Sequence, residues 1–160
     1  MFTVMPQTPA QPRWFLDNLV YVHVDGAQSG GAFGLTELRG PHGDMPPLHL
    51  HERDDETFYV IEGTVSVFVE DMETALTAGQ ALLASRGKPH TYRVESEQAR
   101  WLVINNPSGF EEFILKVSTE APTAELPPLG RPADPGRLAD EAAKVGIQIL
   151  GPPGMLPGQR

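Results

Sequence analysis

Cysteine is absent from the 160 residues of the chain. This absence excludes disulfide bonds, thiolate metal sites and cysteine nucleophiles, so any bound metal has to be held by histidine and carboxylate side chains. Long apolar runs are lacking as well, and no stretch approaches the length needed to cross a bilayer. The first residues do not form a cationic start followed by an apolar core, so no secretory signal is predicted.

Basic residues are scarce. The chain has 12 lysines and arginines against 21 aspartates and glutamates, which gives a net charge of -9. The basic residues are scattered rather than clustered, which disfavours binding to nucleic acid or to an anionic membrane. We therefore expect a soluble cytoplasmic protein whose partner is a small molecule.

Most of the chain consists of short runs of β-forming residues separated by glycine, proline and aspartate. Within several runs apolar and polar residues alternate, as they do on a strand with one buried face. The runs are residues 14–24, 33–38, 56–61, 64–70, 74–76, 80–84, 90–95, 100–105 and 112–118. Many short strands at this spacing predict an all-β domain, an antiparallel sandwich or barrel over residues 31–118.

The segments on either side of this barrel differ in composition. Residues 1–30 are predicted as an N-terminal arm followed by a strand, because the first 12 residues carry three prolines and little periodicity. Residues 119–160 hold eight of the 16 prolines. A short helix is predicted near residues 135–145, with Asp134 as N-cap and Pro135 as its first residue. This helix is expected to pack on the barrel or on a partner subunit.

The stretch from Gly43 to Gly63 points most clearly to chemistry. His49 and His51 are two positions apart, so on a strand their side chains lie on one face. Glu56 begins the next run, and it lies beside the histidines if the two strands are neighbours. Imidazole and carboxylate groups suit divalent transition metals. These three side chains therefore form a candidate metal site.

His90 begins a later strand and is a fourth candidate ligand. The remaining histidines, His23 and His42, are predicted to be solvent-exposed residues of a strand and a turn. The four candidates together predict a pocket with a polar floor and apolar walls. The wall candidates are apolar or aromatic residues that alternate along neighbouring strands: Phe33, Leu35, Phe58, Tyr92, Trp101, Val103, Phe113 and Leu115.

The connection between the histidines and Glu56 is charged. Asp54 and Asp55 are predicted to be solvated turn residues rather than further ligands, with Arg53 as a surface charge partner. An alternative for the whole site is a metal-free polar cluster. That alternative requires every buried histidine and carboxylate to be paired.

These residues resemble two motifs of the cupin superfamily. The first motif, Gly-x5-His-x-His-x4-Glu-x6-Gly, is matched at Gly43, His49, His51, Glu56 and Gly63. The second, Gly-x5-Pro-x-Gly-x2-His-x3-Asn, is matched at Gly79, Gly87 and His90, with Ser85 and Val94 at its proline and asparagine positions. The resemblance implies a cupin β-barrel, also called a double-stranded β-helix or jelly roll.

The run HLHERDDETFYVIEGTVSVFVED is similar to single-domain bacterial cupins of the quercetin 2,3-dioxygenase type. The similarity implies that one divalent transition metal ion, which could be Fe, Mn, Ni, Co, Cu or Zn, is bound by His49, His51, Glu56 and His90. It further implies that Glu56 acts as general base toward an enol or phenol, with dioxygen and substrate meeting at or near the metal.

We therefore expect a metal-dependent, dioxygenase-like enzyme acting on an enolisable or phenolic small molecule, flavonols included. One alternative is a non-oxidative cupin enzyme, an isomerase, cyclase or dehydratase that uses the metal as a Lewis acid. Another is a non-catalytic module that binds a small ligand. Cupin barrels commonly pair through strands and terminal arms, so a homodimer that exchanges residues 1–30 is expected.

Overall fold

The structure is a computed structural model that describes residues 9–159. Its strands are β1 (Arg13–Phe15), β2 (Asn18–Val24), β3 (Gly34–Pro41), β4 (Pro47–His51), β5 (Asp55–Glu62), β6 (Thr64–Val69), β7 (Met72–Thr77), β8 (Ala81–Ala84), β9 (His90–Val94), β10 (Gln98–Asn106), β11 (Thr119–Glu120) and β12 (Ile147–Pro153). Its α-helices are α1 (Gly26–Ser29), α2 (Phe110–Val117) and α3 (Pro135–Lys144). None of these helices is long and apolar enough to span a membrane. The first eight residues of the predicted N-terminal arm lie outside the described range.

The strands form two antiparallel sheets. The first has seven strands in the order β11-β1-β2-β3-β10-β5-β8, and the second has five in the order β12-β4-β9-β6-β7. Side chains from both sheets meet in one core, which includes Val60 and Trp101 of the first sheet and Val65 and Val67 of the second. This arrangement is a jelly roll. It confirms the predicted all-β fold.

Burial alternates along β3, β5 and β10 as the sequence predicted. On β10, the side chains of Ala99, Trp101, Val103 and Asn105 are buried, and the residues between them are more exposed. Because successive side chains of a strand point to opposite faces, these four share the face that looks into the barrel. Asn105 is the polar member of this set, and its register partner on β5 is Glu56.

The strand predicted over residues 112–118 is wrong, because residues 112–117 fall in helix α2 and Ser118 is its C-cap. Glu111 lies in the first turn and Lys116 in the last, where each complements the charge at its end of the helix dipole. The helical period changes which side chains are covered. Phe113 is buried, whereas Leu115 is 40% exposed.

The proline-rich tail contributes to both sheets. Strand β11 pairs with β1, and strand β12 pairs with β4. Helix α3 begins as predicted, since the Asp134 carboxylate accepts a hydrogen bond from the backbone N–H of Arg137 at 3.0 Å. Ala142 of this helix is fully buried in the core. The tail therefore packs on the barrel and covers one end of its interior.

Candidate metal centre

The four candidate ligands meet between the two sheets. His49 and His51 lie on β4, and His90 lies on the adjacent strand β9, where His49 and His90 are register partners. Glu56 lies on β5, which belongs to the opposite sheet. Strands β4 and β5 are thus not paired neighbours. The carboxylate reaches the histidines across the interior of the barrel instead.

The cluster is compact and shielded from solvent. One ligand-type atom from each of the four side chains lies within 4.8 Å of the others. Glu56 Oε2 lies 2.9 Å from His90 Nε2, and Glu56 Oε1 lies 3.8 Å from His51 Nε2. The exposed fractions of His51, His90 and Glu56 are 1%, 1% and 3%. Three imidazoles and one carboxylate therefore face a common point in a buried site.

The second nitrogen of each ring fixes the orientation of these histidines. His49 Nδ1 donates to the backbone oxygen of Pro47 at 2.8 Å, and His90 Nδ1 donates to that of Lys88 at 2.8 Å. His51 Nδ1 donates to Asp54 Oδ2 at 2.8 Å. A carbonyl or carboxylate oxygen only accepts, so the proton of each neutral ring lies on Nδ1. All three Nε2 atoms then present lone pairs to the cluster, which is the tautomer that metal ligation needs.

The charges of the cluster are strongly coupled. Burial raises the pKa of Glu56, but His51 and His90 lower it by more, so its pKa lies well below the ordinary value and the carboxylate is ionised. Burial and the neighbouring histidines lower the pKa of His49 to about 3, which leaves its ring neutral at pH 7. For His51, the Glu56 charge and the Asp54 hydrogen bond together outweigh burial and raise the pKa. Glu56 and Asp54 thus favour a positive charge at His51, whereas His49 stays neutral.

The donor atoms fit a divalent transition metal. His51 Nε2 is buried and has no hydrogen-bond partner among residues 9–159. With its proton on Nδ1, His90 Nε2 faces Glu56 Oε2 as one lone pair against another. Such an arrangement requires either a shared proton or a cation, because buried polar groups without partners are costly. Three imidazole nitrogens and one carboxylate are ordinary ligands for the first-row divalent ions.

Two residues that support the cluster were not predicted from the sequence. Asp54, predicted as a solvated turn residue, is in fact only 2% exposed. It accepts hydrogen bonds from His51 Nδ1 and from Asn105 Nδ2, each at 2.8 Å. Asn105 Nδ2 also lies 3.2 Å from Glu56 Oε1. The role of Asn105 could have been predicted from the sequence, because Asn105 is the one polar residue among the alternating inward positions of β10.

The neighbouring charges are arranged differently from the prediction. Asp55 stays near the surface, but its partner is Arg86, whose Nε and Nη2 donate to the carboxylate at 3.2 and 3.1 Å. Arg53 does not pair with either aspartate and donates to the backbone oxygen of Lys144 at 3.2 Å. Arg53 therefore links the β4–β5 turn to the tail.

Asp54→Asn is expected to lower metal affinity about 10-fold to 100-fold, because groups that orient a ligating histidine typically contribute this much. The substitution removes the charge that holds His51 but keeps the volume of the side chain. Metal affinity measured by competition with a chelator would test this. Asp55→Asn is the matched control, since Asp55 bonds only at the surface and should leave the affinity unchanged. Equal effects of the two variants would contradict the role given to Asp54.

A cavity of about 70 Å³, here called the inner pocket, opens beside the cluster, and His49 and Glu56 form its polar end. Four of the eight predicted wall residues line it: Phe58, Tyr92, Val103 and Phe113. Leu38, Pro46 and Pro47 also line it. Its further apolar lining comes from β1 and the turn that follows it, from α2 and from the tail: Phe15, Leu16, Phe110, Leu138, Ala142, Ile147 and Ile149. These segments are distant in sequence from the metal motif. Among these segments, only α3 has an apolar stripe from which burial could be predicted in the sequence.

The other four predicted wall residues lie outside the inner pocket. Trp101 is in the core behind Tyr92, with ring centroids 5.0 Å apart. Leu35 occupies an outward position on β3, and Phe33 precedes that strand with 37% of its surface exposed. Leu115 is turned outward by the helical period of α2. A strand pattern alone did not settle which face looks inward.

Neither His23 nor His42 belongs to the cluster. His23 lies on the outer face of the first sheet, with its Nε2 2.7 Å from Glu37 Oε2. His42 lies in an exposed turn, with its Nδ1 3.0 Å from the backbone oxygen of Glu95. Both placements agree with the sequence prediction.

A jelly roll that encloses three histidines and a glutamate at the polar end of an apolar pocket is the architecture of a cupin. The family model for the cupin domain matches residues 37–105. The chain belongs to the cupin superfamily. This confirms the resemblance drawn from the two motifs.

The chain is similar to two curated proteins and shares its fold with a solved structure. It is 32% identical over 83 residues to quercetin 2,3-dioxygenase of Bacillus subtilis (strain 168), a match that covers 52% of this chain but only 25% of that enzyme. It is 32% identical over 124 residues to polyketide synthase CurC of Streptomyces cyaneus, covering 71% of this chain and 79% of CurC. The solved structure of the polyketide cyclase RemF from Streptomyces resistomycificus has the same fold, with a TM-score of 0.56, 22% identity and coverage of 68% of this chain and 81% of RemF.

Proposed function

We propose that this chain is a metal-dependent cupin enzyme that acts on a planar phenolic or enolisable small molecule, with dioxygenation as its reaction. The observation that carries the proposal is the ionised Glu56 carboxylate at the polar end of an otherwise apolar inner pocket. The similarity to quercetin 2,3-dioxygenase supports the choice of reaction and of a phenolic substrate.

The pocket walls favour a flat, aromatic substrate. Phe58, Tyr92, Phe110 and Phe113 surround the cavity with aromatic surface. Aromatic pairs prefer edge-to-face or offset contacts, which this set of rings offers to a bound ring system. The Tyr92 hydroxyl does not enter the pocket chemistry, because it donates to Asp44 Oδ2 at 2.8 Å. The walls therefore bind the apolar body of the substrate and exclude water.

Glu56 has the position and the charge to take the proton of a phenol or enol. The carboxylate is ionised and faces the inner pocket, and Asn105 bonds one carboxylate oxygen and holds the group in place. A hydroxyl that enters from the inner pocket meets the carboxylate within a buried site, which favours proton transfer between the two groups. His51 and His90, whose Nε2 atoms lie 3.8 and 2.9 Å from the Glu56 carboxylate, stabilise its negative charge.

The four cluster residues His49, His51, Glu56 and His90 would hold one divalent ion of the series Fe, Mn, Ni, Co, Cu and Zn. When bound, such an ion supplies Lewis acidity toward a substrate oxygen and, for the redox-active members, electron transfer with dioxygen. The substrate-binding and proton-accepting roles of the chain do not depend on which ion it is.

A second candidate function is a non-oxidative reaction on a polyketide-like substrate, such as a cyclisation. The match to polyketide synthase CurC favours it, because that match extends over most of both chains. The same carboxylate would serve, since removing a proton next to a carbonyl is a step common to enolate chemistry.

Oxygen uptake distinguishes the two candidates. Chain loaded separately with Fe, Mn, Co, Ni or Cu is expected to consume dioxygen when a panel of flavonols and smaller phenols is added. The Asp54→Asn variant should show slower uptake at limiting metal. Turnover that continues under nitrogen would favour the non-oxidative reaction. Absence of uptake for every metal and every flavonol would rule out the flavonol dioxygenase.

A further inference from the structure

A second cavity, here called the outer pocket, adjoins the inner pocket. Its volume is about 210 Å³. The two cavities share three lining residues, Phe15, Leu16 and Leu138. Neither cavity alone reaches the roughly 300 Å³ at which small-molecule sites begin, whereas the two together come close to it. A multi-ring ligand in the inner pocket would therefore extend past these three side chains into the outer one.

The junction between the pockets carries backbone strain. Leu16, in the β1–β2 turn, has a φ of 52°, a left-handed conformation that non-glycine residues seldom adopt. Such a conformation costs on the order of 1–3 kcal/mol and persists where the surrounding structure fixes it, commonly at ligand sites. Here the strained residue places its side chain in the lining of both cavities.

The outer pocket differs from the inner one because charged side chains line it. Arg131 and Arg137 lie in its wall together with Asp134. The Asp134 carboxylate already accepts the backbone N–H of Arg137. Two guanidinium groups and one carboxylate leave a local excess of positive charge, although the chain as a whole has a net charge of -9. The local excess favours an anionic group in this pocket.

Both guanidinium groups retain donors for such a group. Arg131 Nη2 donates to Thr119 Oγ1 at 3.1 Å, and the Arg131 guanidinium lies 5.1 Å from the centroid of the Trp14 ring. Arg137 Nη2 donates to the backbone oxygen of Lys116 at 2.9 Å. Each of these acceptors is a neutral oxygen, and a guanidinium has five N–H donors. The contact with Trp14 holds Arg131 in the wall of the pocket.

We propose that the outer pocket is a second subsite, which binds a carboxylate or similarly anionic arm of the substrate through Arg131 and Arg137. This inference rests on the proposed function, in which the phenolic end of the substrate occupies the inner pocket. The substrate class is then an aromatic compound with a phenol at one end and an acidic group at the other. The tail, which provides both arginines and Leu138, selects this class.

Binding of two matched probes tests the subsite without turnover. The probes are a naphthol and the corresponding hydroxynaphthoic acid with its carboxylate on the other ring. Calorimetry with the full chain at low salt should show the acid binding about fivefold more tightly, the effect expected of a partly exposed ion pair. Arg131→Gln should reduce this preference, and the double variant Arg131→Gln, Arg137→Gln should abolish it. Added salt should weaken it as well.

Arg39→Gln is the matched control, because it removes one positive charge from the outer face of the first sheet, away from both cavities. It should keep the preference for the acid. Equal binding of both probes by the wild type, or a preference that survives the double variant, would overturn the subsite. Preference for the acid without any oxygen uptake would reject the dioxygenase reaction and leave the subsite standing.

Discussion

Glu56→Gln is expected to reduce kcat about a thousandfold, because a positioned general base typically contributes a factor of 10² to 10⁴. The amide keeps the size of the side chain but can neither carry the negative charge of the cluster nor accept the substrate proton as a base. Glu56 is buried, with Oε2 2.9 Å from His90 Nε2 and Oε1 3.8 Å from His51 Nε2, so the variant removes a negative charge that faces two histidines. Turnover with saturating metal and substrate, measured beside metal content, separates lost catalysis from lost metal.

The control for this variant is Glu62→Gln on the same strand. Glu62 lies at the exposed end of β5, where Glu62 Oε1 is 3.6 Å from Arg100 Nη1. It should retain wild-type kcat. If Glu56→Gln turned over at the wild-type rate with a full complement of metal, Glu56 could not be the proton acceptor.

Removal of the metal is expected to lower the melting temperature by about 10 °C. A ligand present at a thousand times its dissociation constant stabilises the native state by about 4 kcal/mol, and for a chain of this size each kcal/mol moves the melting temperature by about 2–4 °C. The donors come from three strands, β4, β5 and β9, so the unfolded chain does not assemble the site. Thermal scans with and without a strong chelator would measure the shift.

Two histidine variants test whether the stabilising metal ion is bound by the cluster. His51→Gln removes one donor from the cluster and should make the melting temperature insensitive to the chelator. His42→Gln alters a histidine in an exposed turn and should keep the full shift. A chelator effect that persists in His51→Gln would mean that the stabilising ion binds elsewhere.

The shared face of His49 and His51 could be predicted from strand periodicity, whereas His90 was added from its place at the start of a later strand and from the second motif. His49 and His51 share a face for the simple reason that they are two residues apart on a strand. The relation of Glu56 to them was predicted less well. It depends on β4 and β5 belonging to opposite sheets, which is a property of the whole topology.

The surroundings of the cluster could not be derived in the same way. Asp54 is buried and accepts a hydrogen bond from Asn105, 51 positions away in the chain. The local sequence shows only two adjacent aspartates, Asp54 and Asp55, which is typical of a solvated turn. Helix α2 was mistaken for a strand because a short apolar run does not by itself distinguish the two, although its acidic start and basic end favour a helix.

The outer pocket is lined mostly by segments late in the chain, and these segments also contribute to the inner pocket: Phe110, Phe113, Leu138, Ala142, Ile147 and Ile149. Leu138 and Ala142 had the spacing of an apolar helical stripe, yet nothing in the sequence indicated which cavity that stripe covers. The lining of the two pockets is therefore the property least accessible from sequence, since part of it depends on long-range packing of the tail.

Anomalous diffraction at the absorption edge of the loaded metal tests the central claim most directly. Crystals of the metal-loaded chain should show one strong peak, bounded by the Nε2 atoms of His49, His51 and His90 and by a carboxylate oxygen of Glu56. A peak at any other position, or none after loading with each of the divalent ions, would contradict a metal-dependent function for this site.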